Sequence, residues 1–336
     1  MTKRKLTKQQ QRRTQALQQA RRERAQDKSA TKAAELEAQG LGPEQEGLLI
    51  ARHGAMVEVE SAPGEIHPCY LRQNLVNPVP GDNIVWCKSP DESGVVVAIH
   101  PRDSELARPD AHGNMKPLAA NVSLMVIVIA LQPAPSLELL DRYLVAAELL
   151  AIRPLILLNK SDLLDKRRHP LREFMNVYKG LGYDVLEISV EQHKGFKPLI
   201  KQLKDNTSIF VGQSGVGKSS LIASLLPAED IRIGELSDAS GLGKHTTSTP
   251  RLYHFPEGGH IIDSPGVRSF ALWHAEPAAI FSGFREFRPY QGQCKFRDCK
   301  HLNEPDCALL DAVDAGDINE VRFENYHKII GDEGQR

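Results

Sequence analysis

"LLNKSDLL" (residues 157–164) and "GQSGVGKSS" (residues 212–220) together decide the fold. The first holds Asn159, Lys160, Ser161 and Asp162 in an N-K-x-D pattern, the spacing of a guanine-reading loop. The second satisfies G-x-x-x-x-G-K-[ST] through Gly212, Gly217, Lys218 and Ser219. A phosphate loop ordinarily precedes the base loop. Here it follows. Either one match is accidental or the domain has been rewired.

Context favours rewiring. The phosphate match is preceded by the apolar run "SIFV" and followed by "SLIASLL", the strand-loop-helix setting that the motif requires. Backbone N–H groups across Gly212, Gln213, Ser214, Gly215, Val216, Gly217, Lys218, Ser219 and Ser220 are expected to curl around phosphate oxygens. Lys218 neutralises β- and γ-phosphate charge, and the Ser219 hydroxyl is a magnesium ligand. The base match follows the strand-like "PLILL". The Asp162 carboxylate would accept from guanine N1–H and the N2 amino group. Adenine lacks that pair of donors, so ATP would leave the acid unpaired. Asn159 is placed to bond the base and brace neighbouring loops, the Lys160 stem to lie over the ring, and Ser189 to bring a backbone N–H to the guanine oxygen.

Downstream, "DSPG" follows the apolar "HII". Asp263 is a candidate for the magnesium shell and the Gly266 N–H for sensing the γ-phosphate. Between these motifs lies "ASGLGKHTTSTP", a polar loop of the kind ordered by γ-phosphate and Mg²⁺. Thr246 and Thr247 are both candidates to complete the magnesium shell, with Thr247 preferred. Val267 stands where many relatives of Ras carry a water-orienting Gln. His245, beside the threonines, is the candidate for that catalytic task.

Around these motifs the chain alternates strands and helices. "SLMVIVIAL" reads as a buried strand, "LELLDRYLVAAELL" as a helix, "YDVLEISV" as a strand and "KPLIKQLKD" as a helix. This is a parallel α/β sheet with ligand loops at the carboxyl ends of its strands. Cutting before "SLMVIVIAL" and joining the old ends gives the motif order seen, with "KPLIKQLKDNTSIF" as the fused junction.

The flanks differ. Residues 1–45 are poor in large apolar residues and read as a basic, disordered tail. The first 32 residues hold 11 Lys or Arg against 2 acids, although the whole chain of 336 residues has a net charge of -1. Such a tail attracts polyanions. Residues 46–108 carry short apolar runs between turn signals, an all-β pattern for which a five-stranded OB barrel fits the length. Residues 109–273 form the α/β domain and 274–336 a small segment ending in the helical "INEVRFENYHKII".

That last segment holds Cys294, Cys299, His301 and Cys307, spaced C-x4-C-x-H-x5-C. Three thiolates and an imidazole make a closed tetrahedron suited to one structural Zn²⁺. Basic and aromatic residues interleave with it: Arg285, Phe287, Arg288, Tyr290, Lys295, Phe296, Arg297 and Lys300. That mixture suits RNA backbone contact with base stacking. The longest apolar run is too short to span a bilayer, and no apolar region follows the basic residues at the start. A cytoplasmic monomer without membrane contact is expected.

The words "GQSGVGKSS", "GLGKHTT" and "DSPGVR", with the Cys/His cluster, closely resemble the RsgA/YjeQ family of circularly permuted GTPases over residues 46–330. The resemblance implies an OB domain, a permuted GTPase domain and a zinc domain. It implies GTP and GDP as substrate and product. It also implies late maturation of the small (30S) ribosomal subunit, alongside its rRNA and other assembly factors, with hydrolysis stimulated by the subunit. It places guanine binding on Asn159, Lys160 and Asp162, phosphate binding on Gly212 to Ser220, and catalysis on His245. Val190 stands where the pattern usually has Ala. Two rival readings are a GTP-gated RNA-binding module with incidental hydrolysis and a P-loop ATPase.

Overall fold

The computed structural model describes residues 29–38, 40–73, 75, 77–91, 93–109, 114–164, 169–227, 250–263 and 275–333. They divide into two compact units. One ends at Asn121 and takes in the short strand around Arg251. The other begins at Val122 and includes the C-terminal helices.

The first unit is a closed barrel. Strands β1 (Glu44–His53), β2 (Met56–Ala62), β3 (Glu65–Leu71), β4 (Asn83–Lys88) and β5 (Gly94–Ile99) run in the order β1-β2-β3-β5-β4, and β4 pairs back onto β1. Alternation puts Leu49, Val57, Val59, Cys69, Ile84, Trp86 and Val96 into its core. Strand spacing leaves little room at Gly94, where a Cβ would lie 2.5 Å from the Trp86 ring. This is the OB-type barrel that the alternating runs predict.

Two boundaries differ from expectation. Residues 29–38 form a helix, α1, in place of a tail disordered to residue 45. Ala33 and Leu36 bury against Val95, and the Ser29 hydroxyl accepts from Leu71 N–H at 2.9 Å. Two apolar side chains suffice because the barrel supplies the rest of the contact surface. The boundary at 109 falls inside a hairpin, β6 (Glu105–Pro109) with β7 (Met115–Ala120), which belongs to the barrel unit. Arg102 grips the fully buried Asp82 through two bonds of 2.7 and 2.8 Å, and Asn121 Nδ2 donates to Gly81 O at 2.8 Å. These bonds hold the hairpin. β12 (Arg251–His254) pairs with β1 at Ala51.

The second unit is the α/β core. Strands β8 (Leu124–Ala130), β9 (Arg153–Asn159), β10 (Asp184–Glu187) and β11 (Thr207–Val211) lie in the order β10-β9-β8-β11, and β13 (His260–Asp263), whose last two residues group with the first unit, follows β11 in the sheet order. β8 runs parallel to both β9 and β11. All seven residues of β8 are buried, as a central strand covered on both faces must be. Its register sets Ala130 beside Asn159 and Ile127 beside Val211. The carboxyl ends of three strands therefore share one edge, and their loops converge there.

Helices α2 (Leu137–Leu149), α3 (Pro170–Gly180), α4 (Phe196–Leu203) and α5 (Lys218–Leu225) complete the core. Ser136 caps α2, its hydroxyl accepting from Leu139 N–H. The C-terminal segment comprises α6 (Pro277–Gly283), a 3₁₀ turn (Arg285–Tyr290), α7 (Ala308–Asp314) and α8 (Glu320–Glu333). The sequence suggests a separate domain from residue 274. The described part groups with the α/β core in one compact unit.

The seam of that packing is polar. Asp141 of α2 and Arg322 of α8 are both fully buried and bond at 2.5 Å. Asn325 Nδ2 donates to the other Asp141 oxygen at 2.7 Å, and the Tyr178 hydroxyl donates at 2.9 Å. Arg322 also grips Glu286, so each guanidinium edge faces a carboxylate. Every charge here has a partner, which is the condition for keeping ions in a dry interior.

Candidate functional site

The two motifs meet. Asn159 ends β9 and is 2% exposed; its Nδ2 donates to Val216 O of the phosphate loop at 2.9 Å. Lys160 follows in the left-handed region, with φ of 56°. That turn throws its side chain back over the phosphate loop, where Nζ donates to Gly215 O at 2.8 Å and to Gln132 O at 2.9 Å. Gly217 takes a φ of +93°, and a Cβ there would lie 2.5 Å from Asn159 Nδ2. A larger residue would push the loops apart.

The base side of the site is built on β9 and the residues after β10. Ser161 N–H donates to Ile188 O at 3.1 Å, tying the loop after β9 to that after β10. The buried Ser189 hydroxyl donates to Asp162 Oδ1 and accepts from Gln192 N–H at 3.1 Å. A reciprocal bridge between Ser189 and Lys194 holds this turn and takes up the Ser189 backbone N–H at 3.1 Å, so that group is already bonded to Lys194 O and does not face a guanine oxygen as the sequence suggests. The Asp162 carboxylate is thereby oriented through one oxygen.

On the phosphate side, Gly212 has a φ of +136°, and its Cβ would strike Val128 O at 2.1 Å. Only glycine lets the loop leave β11 so close to β8. Lys218 opens α5 and folds back, donating from Nζ to Gly212 O at 2.7 Å and Gln213 O at 2.5 Å. Val216 is buried under the loop, while Ser219 and Ser220 are half-buried in the first turn of α5. Asp263 terminates β13 and is half-buried. His245, Thr246, Thr247, Gly266 and Val267 lie outside the described residues.

Sequence reasoning missed the segment joining β8 to α2. Gln132 touches the base loop and Ser136 the phosphate loop: Lys160 reaches Gln132 O, and Gln213 Oε1 accepts from Ser136 N–H at 3.1 Å. The only signal was Pro133 and Pro135 marking a break before a capping serine.

The ligand atoms of Cys294, Cys299, His301 and Cys307 all lie within 4.8 Å of one another. Cys294 and Cys307 sulfurs are 3.8 Å apart, and His301 Nδ1 is 3.5 and 3.3 Å from them. A Zn–S bond of ~2.3 Å places tetrahedral sulfurs about 3.8 Å apart, so the donor set fits Zn²⁺. His301 adopts a φ of +59°, turning its ring into the cluster, and His327 Nε2 sits 3.0 Å from its carbonyl oxygen. Burial pushes the Cys299 thiol up to about 12, the cost that a bound cation would reverse.

The basic and aromatic residues divide into two groups. Arg285 and Arg288 bond the two oxygens of Glu148 at 2.7 and 2.6 Å, and Arg285 stacks on Tyr183. Phe287 is fully buried among Phe281, Phe284 and Tyr326. Phe287 and the half-buried Arg285 are thereby taken up in packing, whereas Arg288 is exposed and Tyr290 is half-buried. Lys295, Phe296, Arg297 and Lys300 are exposed. Among the described residues, no helix is long and apolar enough to cross a membrane.

A base loop preceding a phosphate loop in the chain, with both converging at one edge of a parallel sheet, defines a circularly permuted P-loop GTPase. A family model described as RsgA GTPase matches residues 99–273, and the chain belongs to that family. It is 50% identical to the small ribosomal subunit biogenesis GTPase RsgA of Pseudomonas savastanoi pv. phaseolicola (strain 1448A / Race 6), over 98% of each chain. Among solved structures, YjeQ from Thermotoga maritima superposes with a TM-score of 0.71 at 31% identity, covering 88% of this chain and all of that one. YloQ, described as a circularly permuted GTPase, gives 0.70 at 30% identity, covering 88% of this chain and 96% of that one.

Proposed function

We propose that this chain hydrolyses GTP and uses the reaction to time its release from the maturing small ribosomal subunit. The observation that carries the reading is the joint between its motifs, Asn159 to Val216 and Lys160 to Gly215, which brings base and triphosphate loops to one place. Asn159 Oδ1 is buried there without a hydrogen-bond partner among the described residues, an acceptor suited to a polar ligand.

In this reading Asp162, oriented by Ser189, selects guanine. The backbone from Gly212 to Ser220 cradles the phosphates and the N-terminus of α5 faces their charge. Lys218 swings from its carbonyl partners to the β- and γ-phosphate oxygens. Ser219, Thr247 and Asp263 hold Mg²⁺, which when bound neutralises charge on those oxygens. Gly266 senses the γ-phosphate. His245 orients the attacking water, because Val267 has no polar atom for the task. Cys294, Cys299, His301 and Cys307 hold one Zn²⁺ that fixes the loop carrying Lys295, Phe296, Arg297 and Lys300. Those four contact rRNA, with the basic N-terminal residues adding electrostatic attraction. The protein acts as a cytoplasmic monomer alongside other assembly factors.

The test is single-turnover GTP hydrolysis with added small subunits, large subunits or free RNA. Stimulation by small subunits alone is expected. A flat response would favour a GTP-gated binding module, and displacement of bound GTP by equimolar ATP would favour an ATPase.

A further inference from the structure

The segment 132–136 is clasped by both nucleotide loops. Lys160 Nζ holds Gln132 O, Pro133 lies 3.5 Å from where a Gly215 Cβ would stand, and Gln213 Oε1 holds Ser136 N–H. Ser136 is the N-cap of α2. Along the same helix, Asp141 binds Arg322 and Asn325 of α8, and Glu148 binds Arg285 and Arg288 of the 3₁₀ turn. Gly283 of α6 packs so tightly on α2 that a Cβ would fall 2.5 Å from Val145 Cγ1. One helix thus touches the nucleotide loops at its start and the C-terminal segment along its length.

We propose that α2 couples the phosphate loop to the C-terminal segment, with Gln213 as the positioning residue at one end and Glu148 at the other. The idea rests on the GTP-site reading above and adds a route to it. Its source of bias is the Lys218 ammonium. That group has three N–H donors, and Gly212 O and Gln213 O take two of them. Phosphate oxygens compete for the same donors. Moving Lys218 frees the Gln213 backbone, shifts the Gln213 side chain and changes its grip on Ser136. A differential contact of this kind is what a ligand needs to shift an equilibrium. The rest of the path is short: a capped helix, the buried Asp141–Arg322 pair, and Glu148 holding the half-buried Arg285 and the exposed Arg288.

The test uses the full zinc-loaded chain. Affinities for GDP and a non-hydrolysable GTP analogue are measured for the parent and for Glu148→Gln, with hydrogen exchange followed in both nucleotide states. In the parent, exchange in 137–149 and in 277–290 should differ between nucleotides. In Glu148→Gln the difference should persist in 137–149 and vanish in 277–290. By linkage, the ratio of the two affinities should change by about fivefold or more. A merely structural Glu148 would weaken both nucleotides alike and leave the ratio unchanged. Gln213→Ala should abolish the difference in both segments. An affinity ratio within twofold of the parent, or a nucleotide-dependent difference in 277–290 that survives both variants, overturns the proposal. If neither nucleotide binds the parent, the GTP-site reading falls with it; if both bind and 137–149 does not respond, only the coupling falls.

Discussion

Replacing Asp162 by Asn changes one atom and tests the base assignment directly. Ser189 donates its hydroxyl proton to Asp162 Oδ1, and an amide oxygen at the same place would still accept it. The loop should therefore keep its shape. The oxygen that meets the guanine N2 amino group becomes an NH₂ donor, while the remaining amide oxygen still accepts from N1–H. One hydrogen bond to a charged group is lost and a donor faces a donor, a cost of about 1.5–3 kcal/mol. That is roughly tenfold to a hundredfold in affinity. Xanthine carries an oxygen where guanine carries the amino group, so the same change should improve XTP binding. Competition titrations of a fluorescent guanine nucleotide with GTP, XTP and ATP measure all three on both proteins. Parent-like GTP affinity in Asp162→Asn, with XTP no better, would show that this carboxylate does not read the base.

Gly217→Ala should lower GTP affinity at least tenfold while leaving the barrel unit's unfolding unchanged, since its Cβ would collide with Asn159 Nδ2 at 2.5 Å; nucleotide titration with parallel circular dichroism checks both. Arg322→Met strands the buried carboxylates of Asp141 and Glu286 and should cost about 3–5 kcal/mol, read as a lower urea midpoint; a loss below 1 kcal/mol would show that water reaches the seam. Removing zinc with a strong chelator should release one equivalent of metal and speed amide exchange across 291–308, with nucleotide affinity retained; metal analysis and exchange mass spectrometry on one sample decide it.

Local pattern made the nucleotide edge legible. β8 is an unbroken apolar run, and the strand-loop-helix around Gly212 needs only the glycines and the capping geometry to be recognised. The clustering of Cys294, Cys299, His301 and Cys307 was equally open to reading, because all four lie within 14 residues. What escaped notice depends on partners far along the chain. Asp141 and Arg142 interrupt an apolar helix, and nothing nearby says that Arg322 neutralises the first of them. Nothing near Arg285 and Arg288 says that Glu148, more than a hundred residues upstream, holds both. α1 was hidden for another reason. Its buried apolar residues are Ala33 and Leu36, too few to stand out from a polar stretch.

The pairing of Asp141 with Arg322 bears on how the chain is made. A ribosome delivers the α2 aspartate first and its guanidinium counterpart 181 residues later. In that interval the nascent protein holds an acid at a site designed to be dry. It must stay hydrated or protonated, with α2 loosely docked. Closure of this half of the molecule is therefore a late event in biosynthesis, and α8 works as the latch that completes it.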